Sequence, residues 1–259
     1  MILLHAPLSP FGRLARLVIA ELGAPVEARS LPAARMAAAA EIEAAGAAAL
    51  SAGVDPQCDP FDARIGPILI AGESVSGGGA LSVGGVWAVV EYLDELGQSA
   101  DWPAAAPDGR VWAPWPSEPA ARAEARRLTE WAGSTFWRLA VEPPFAERFL
   151  KAEFHQGGPD MNRVRAASAA ARRALADEAA ALVDARGWLA DDRLTVADFA
   201  LAAQISVLDY LGDRPFDAAG EDPLRDWYAL IKSRPSFHGL LADRAPRLPP
   251  SASYGDLDF

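Results

Sequence analysis

The chain has 259 residues, of which 51% are hydrophobic, a length that accommodates two modest domains each with its own core. No run approaches the roughly 18 uncharged apolar residues of a membrane span, and the first basic residues follow the opening apolar stretch instead of preceding it, unlike a secretory signal. A formal net charge of −11 disfavours nucleic acid and anionic lipid, which bind through neutralisation of phosphate by Lys and Arg.

Ile2 to His5 is a short apolar run closed by Pro7, after which Leu14, Leu17, Val18 and Leu22 recur at helical spacing. Gly23 stops that helix as a C-cap, and Pro25 to Arg29 alternates apolar and polar residues as a second strand would, beginning a βαβ unit. Leu31 to Ala63, rich in alanine and broken by Gly46, Gly53 and Pro56, reads as an irregular surface insertion.

Gly66 to Ile70, introduced by Pro67, and Ala80 to Val83 read as an antiparallel hairpin turning at Gly77 to Gly79. Val86, Val89, Val90 and Leu93 then mark a helix with Glu91, Asp94 and Glu95 toward water. Residues 98–118 are rich in proline, alanine and aspartate; they read as a linker whose Trp102, Trp112 and Trp115 should pack on one or both neighbouring domains, since clustered indoles would otherwise expose a large apolar area.

Residues 119–244 are helical in pattern. Leu128, Trp131, Ala132, Phe136 and Leu139 recur at spacings of three and four, and Gly157-Gly158-Pro159 separates a short helix from a long one over Met161 to Arg186. Thr195 with Asp198 predicts a capping box, Leu194 with Phe199 a hydrophobic staple, and the following run to Leu211 is apolar nearly all round, as at the centre of a bundle. Two helices, Asp222 to Ser233 and Ser236 to Ala242, break at Pro235. The tail, 245–259, carries three prolines and is expected to be extended and exposed, ending in Asp256-Leu257-Asp258-Phe259.

Cys58 is the sole cysteine, and His5, His155 and His238 lack ligand spacing, so neither a disulfide nor a metal site is expected. Cys58 sits between Asp55 and Asp59, a setting unfavourable to a thiolate, and reads as a bystander.

Ser9-Pro10-Phe11-Gly12-Arg13 after the first strand, Gly66-Pro67-Ile68-Leu69 before the third, Glu91-Tyr92-Leu93 and Leu194-Thr195-Val196-Ala197-Asp198 together resemble the order of signals in glutathione transferases. The resemblance implies an α/β thioredoxin-like N-terminal domain (1–97) plus an all-α C-terminal domain (119–244), that is, a glutathione S-transferase fold, and a homodimer. It also implies a cis bond before Pro67 facing a bound cysteinyl group. The C-terminal half, with Ser206 to Asp213, Lys232 to Phe237, Leu240 to Arg244 and the last four residues, is similar to one branch, the FtsZ-localised protein A family, whose members bind filaments of the division protein FtsZ.

Enzymatic use of the fold needs a group that stabilises the glutathione thiolate and a grip on the γ-glutamyl end. Ser9, just before a helix N-terminus, could serve as the catalytic donor, or could simply cap the helix. Where many transferases carry an acidic residue and a serine, this chain has Gly85-Val86. Glutathione binding through Ser9, Pro67 and Ile68 is therefore expected to be vestigial, with no cofactor and no metal. The expectation is a cytoplasmic pseudoenzyme adaptor, located at the division site and without a membrane span, that binds FtsZ filaments through Asp256, Leu257, Asp258 and Phe259. A glutathione-dependent transferase with a diverged site is the alternative. Because FtsZ proteins are acidic as a family, Arg122, Arg126 and Arg127, and separately Arg163, Arg165, Arg172 and Arg173, are candidates for meeting such a partner.

Overall fold

The computed structural model describes residues 1–32, 66–73, 80–99, 102, 112–216, 222–245 and 247–257. Most of the insertion with Cys58, most of the linker, and Asp258 and Phe259 lie outside the described residues. The chain separates into two compact units, Met1–Val111 and Trp112–Phe259.

The first unit is built on a four-stranded sheet in the order β2-β1-β3-β4, from β1 (Ile2–His5), β2 (Glu27–Ser30), β3 (Ile68–Glu73) and β4 (Ala80–Gly84). Parallel neighbours require a crossover, and α1 (Pro10–Leu22) supplies it between β1 and β2, with Ile2 opposite Glu27. β3 runs antiparallel to both β1 and β4, placing Leu4 opposite Ile68 and Ile68 opposite Gly84. In β1 the pleat turns Leu3 and His5 inward. The helix α2 (Val86–Ser99) packs against α1 through Val86, Val89, Val90 and Leu93, all buried.

The backbone at Pro67 corrects the expectation of a cis bond. No peptide bond among the described residues is cis, so Gly66–Pro67 is trans. Trans is intrinsically favoured before proline by about 0.5–1 kcal/mol, and here it lets Pro67 run directly into β3 while its carbonyl accepts the Gly85 N–H at 3.1 Å.

The second unit is helical. Residues 112–115 are part of it: the Trp112 indole donates to Leu194 O at 3.2 Å and stands edge-on to Phe199, Val196 N–H donates to Pro114 O at 2.9 Å, and Trp115 is buried. The helix α3 (Pro119–Trp131), capped by the Glu118 carboxylate, runs without a break into a π-helical segment, Ala132–Val141. One α-turn (Glu142–Pro144), a second π-helical segment (Phe145–Leu150) and a last turn (Lys151–Glu153) follow. Pro143 and Pro144 remove two consecutive donors from the helical ladder, so its regular register cannot pass through them.

The long helix expected over Met161 to Arg186 is two helices, α4 (Met161–Glu178) and α5 (Ala180–Arg186), interrupted at Ala179. At the centre is α6 (Val196–Leu211), every residue of which is buried. Its capping box forms: Ala197 N–H donates to Thr195 Oγ1, and the Asp198 carboxylate accepts from Thr195 N–H, Leu189 N–H and the Trp227 indole. The last helices are α7 (Pro223–Lys232), capped by Asp222, and α8 (Pro235–Leu241). No helix among the described residues is long and apolar enough to cross a membrane.

Candidate functional site

In the first unit Ser9 follows the C-terminal end of β1 and Pro67 precedes β3, at the end of the sheet where Leu4 pairs with Ile68. β1 ends where the antiparallel β3 begins, and the turn from β1 into α1 sits over that end. Leu8 within the turn is buried and has φ 59, a left-handed conformation rare for leucine and one that costs energy. It delivers Ser9 to the N-cap of α1, where Oγ accepts the Gly12 N–H at 3.3 Å. The serine is a buried cap. A side chain on Gly12 would put its Cβ 2.8 Å from the Cβ of His5, so α1 reaches this approach to β1 only through glycine.

The positions expected to hold a γ-glutamyl group are Gly85 and Val86. Gly85 has φ 84, its N–H is committed to Pro67 O, and Val86 is a buried core residue. The first turn of α2 carries no acidic group. Ile68 is hemmed between β1 and β4 by pairing on both sides. Among the described residues at this end of the sheet, Gly85 and Val86 bring no charged side chain toward Ser9.

In the second unit, the tail departs from the expectation of an exposed extension. Tyr210 Oη donates to Leu248 O at 2.7 Å and accepts the Ala245 N–H at 2.9 Å. Ser251 N–H donates to Tyr210 O and Ser251 Oγ to Asp209 O, both at 2.8 Å. Tyr254, 1% exposed, donates its hydroxyl to Leu240 O at 2.9 Å and stands edge-on to Tyr210. The segment from Ala245 to Tyr254 is a strap folded onto α6 and α8; its backbone is satisfied partly by its own turns, Leu248 N–H to Ala245 O and Tyr254 N–H to Ser251 O, and partly by polar groups on the body.

Beneath the strap lies a buried charge cluster. Lys232 Nζ donates to Asp209 at 2.8 Å, Tyr228 Oη reaches the same carboxylate, and Arg214 pairs with its other oxygen at 3.3 Å. The Lys232 ammonium also lies over the rings of Tyr228 and Tyr254. Burial pushes the Asp209 pKa up against the pull of Lys232 and Arg214, and burial pushes the Lys232 pKa down against the pull of Asp209. Asp256 adds a smaller attraction on Lys232, which ties the end of the strap electrostatically to the cluster. Leu257, beyond it, is exposed.

The candidate arginines differ in their surroundings. Arg127 bridges Glu124 and Glu178, Arg126 lies over the Trp115 ring, and Arg163 pairs with the buried Glu147 at 2.6 Å. Arg165 hydrogen-bonds only to Asn162 among the described residues, and Arg172 and Arg173 stand exposed on α4. The buried cluster and the strap were missed in the sequence; Tyr254, an aromatic amid prolines, was their one visible signal.

No protein-family model matches the chain. FtsZ-localized protein A of Caulobacter vibrioides is 43% identical over 145 residues, a match covering 55% of this chain and 61% of that protein, so the aligned part spans about three fifths of the relative's length. FzlA from C. crescentus is similar in structure over 100% of this chain and 99% of its own, with a TM-score of 0.77 and 30% identity. A glutathione S-transferase from Sinorhizobium meliloti covers the same shares at a TM-score of 0.73 and 31% identity.

Proposed function

The chain belongs to the glutathione S-transferase superfamily, in company with FzlA, and from that membership we propose that it is a non-catalytic adaptor that binds FtsZ filaments in bacterial cell division. The supporting observation is a joint one: a likeness to a relative named for its localisation with FtsZ, in a chain whose transferase edge has Gly85 and Val86 where a polar grip would stand.

The adaptor acts as a homodimer at the division site. A dimer carries two copies of each contact surface, so individually weak contacts with a repeating filament multiply through effective concentration. The contact proposed for the filament is Asp256, Leu257, Asp258 and Phe259, which follow the strap; Leu257 is exposed. Cosedimentation with FtsZ polymers, wild type against a protein truncated before Asp256, tests both parts. Wild type should pellet with the polymers and the truncated form should bind more weakly; wild type left in the supernatant would sink the adaptor reading, and equal binding would remove the tail from the contact. Light scattering should give twice the monomer mass.

The Ser9 hydroxyl at the N-cap of α1, after the end of β1, supports a second reading, a glutathione-dependent transferase in which Ser9 stabilises the thiolate and Pro67 and Ile68 line the site. Retention on a glutathione column with turnover of chlorodinitrobenzene, abolished by Ser9→Ala, would decide for it.

A further inference from the structure

The helix α4 is capped by the Asp160 carboxylate, but within its own span its arginines precede its acids. Helices favour acids in the first turn and bases in the last. Here the first turn has no acid and the last no base; Arg163 and Arg165 lie near the N-terminus, and Asp177 and Glu178 close the C-terminus. Arg163 is compensated by the buried Glu147, and Glu178 by Arg127. The exposed arginines Arg165, Arg172 and Arg173 form no ion pair among the described residues. Seven residues are close to two helical turns, so Arg165 and Arg172 share one stripe about 10 Å apart, with Arg173 beside it. Met161, Asn162 and exposed alanines fill the rest of the arc, and between the N-cap Asp160, whose carboxylate accepts the Asn162 N–H, and Asp177 the helix itself carries no carboxylate.

We infer that this arc of α4 is a docking surface for an acidic, extended polypeptide segment of a partner protein. The inference rests on the adaptor reading above and names the chemistry of one of its contacts. Charge complementarity selects the occupant. On a chain of net charge −11, an uncompensated basic stripe is a local exception. A membrane or a duplex would set a broad sheet of negative charge against the acidic remainder of the surface as well as the stripe. A single peptide strand tracks one helix and avoids that cost. At about 3.3 Å per residue, carboxylates three or four residues apart match the spacing from Arg165 to Arg172. Guanidinium groups engage carboxylates with paired hydrogen bonds, which an ammonium cannot do.

The test replaces Arg165, Arg172 and Arg173 together by glutamine, with a second variant changing them to glutamate, each checked for wild-type circular dichroism and melting. Binding of a fluorescein-labelled oligo-glutamate peptide is read by anisotropy at about 50 mM and about 300 mM salt, since a charge contact at an exposed site weakens with screening. Wild type should bind at the lower salt and weaken roughly tenfold at the higher, and both variants should lose binding roughly tenfold at the lower salt. Equal binding by wild type and the glutamine variant, no binding by wild type, or a preference of wild type for phosphatidylserine vesicles or duplex DNA overturns the inference. Cosedimentation with FtsZ separates the two ideas. Arginine-dependent oligo-glutamate binding without FtsZ binding leaves the docking surface standing and removes the division reading; FtsZ binding indifferent to both variants, with oligo-glutamate also indifferent, does the reverse.

Discussion

Lys232 and Asp209 face each other at 2.8 Å with both side chains wholly withdrawn from solvent. Taking two charges out of water costs more than their attraction returns unless further groups satisfy them. Here Tyr228 donates to the carboxylate, Arg214 lies 3.3 Å from its other oxygen without a hydrogen bond, and the ring of Tyr254 faces the ammonium. Lys232→Met should leave a buried carboxylate short of its main partner and lower stability by about 3–5 kcal/mol, read by urea unfolding. Lys232→Met with Asp209→Leu should recover part of the loss. A double variant as weak as the single one would mean that the pair acts through packing alone.

The pH dependence of this pair has two opposite parts. Asp209 has a raised pKa, so the folded state holds more protons than the unfolded between the ordinary carboxylate value and the raised one, and stability falls as pH rises through that window. Lys232 has a lowered pKa, so stability rises with pH between its lowered value and the ordinary lysine value. Both slopes should vanish in the Lys232→Met, Asp209→Leu protein when melting is followed against pH.

Glu147 behaves in the opposite sense to Asp209. Burial raises its pKa, but the Asp160 N–H, Lys151 and Arg163 outweigh burial and hold it below the ordinary value. Its contribution is therefore present above the unfolded-state pKa and lost as pH falls through the folded one. Glu147→Gln should cost about 2 kcal/mol at neutral pH and flatten the acid limb of the melting profile. An unchanged acid limb would show that other carboxylates carry it.

The strap makes a graded prediction about truncation. Removing Asp256 onward should lower the urea midpoint only slightly, because Leu257 is exposed and Asp256 contributes one turn hydrogen bond to Ser253 O and a small attraction on Lys232. Tyr254→Phe should cost about 1 kcal/mol for the bond to Leu240 O, and Tyr254→Ala about 3–5 kcal/mol for the ring as well. Tyr254→Ala as stable as wild type would mean that the strap lies loose in solution.

What could be read from the residues was mostly local. Thr195 and Asp198 announce the start of α6 because a capping box is a contact across three residues, and Gly23 announces the end of α1 because a left-handed C-cap favours glycine. The order of strands and helices in the first unit followed from the same short-range signals. The strap was not legible: three prolines in 245–259 argue for exposure, and their backbone is satisfied by Tyr210 and Asp209, more than thirty residues away. Asp209 and Lys232 are likewise separated by 23 positions, and nothing in either residue type names the other. The trans bond at Gly66–Pro67 departs from a family expectation that composition and spacing could not check.

Ser9 tests whether the transferase edge still does chemistry, provided that its capping role is kept separate. Ser9→Ala removes both the hydroxyl and the acceptor for Gly12 N–H, and should cost about 1 kcal/mol. Ser9→Gly also removes the hydroxyl, but glycine is a tolerated N-cap, and the loss should be only a few tenths of a kcal/mol. The two variants thus share one chemical deletion and differ in helix stability. If the chain is an adaptor, both should cosediment with FtsZ like wild type. A loss of FtsZ binding in Ser9→Ala but not Ser9→Gly would report the weakened start of α1, whereas equal loss of glutathione-dependent turnover in both would assign the hydroxyl to a thiolate.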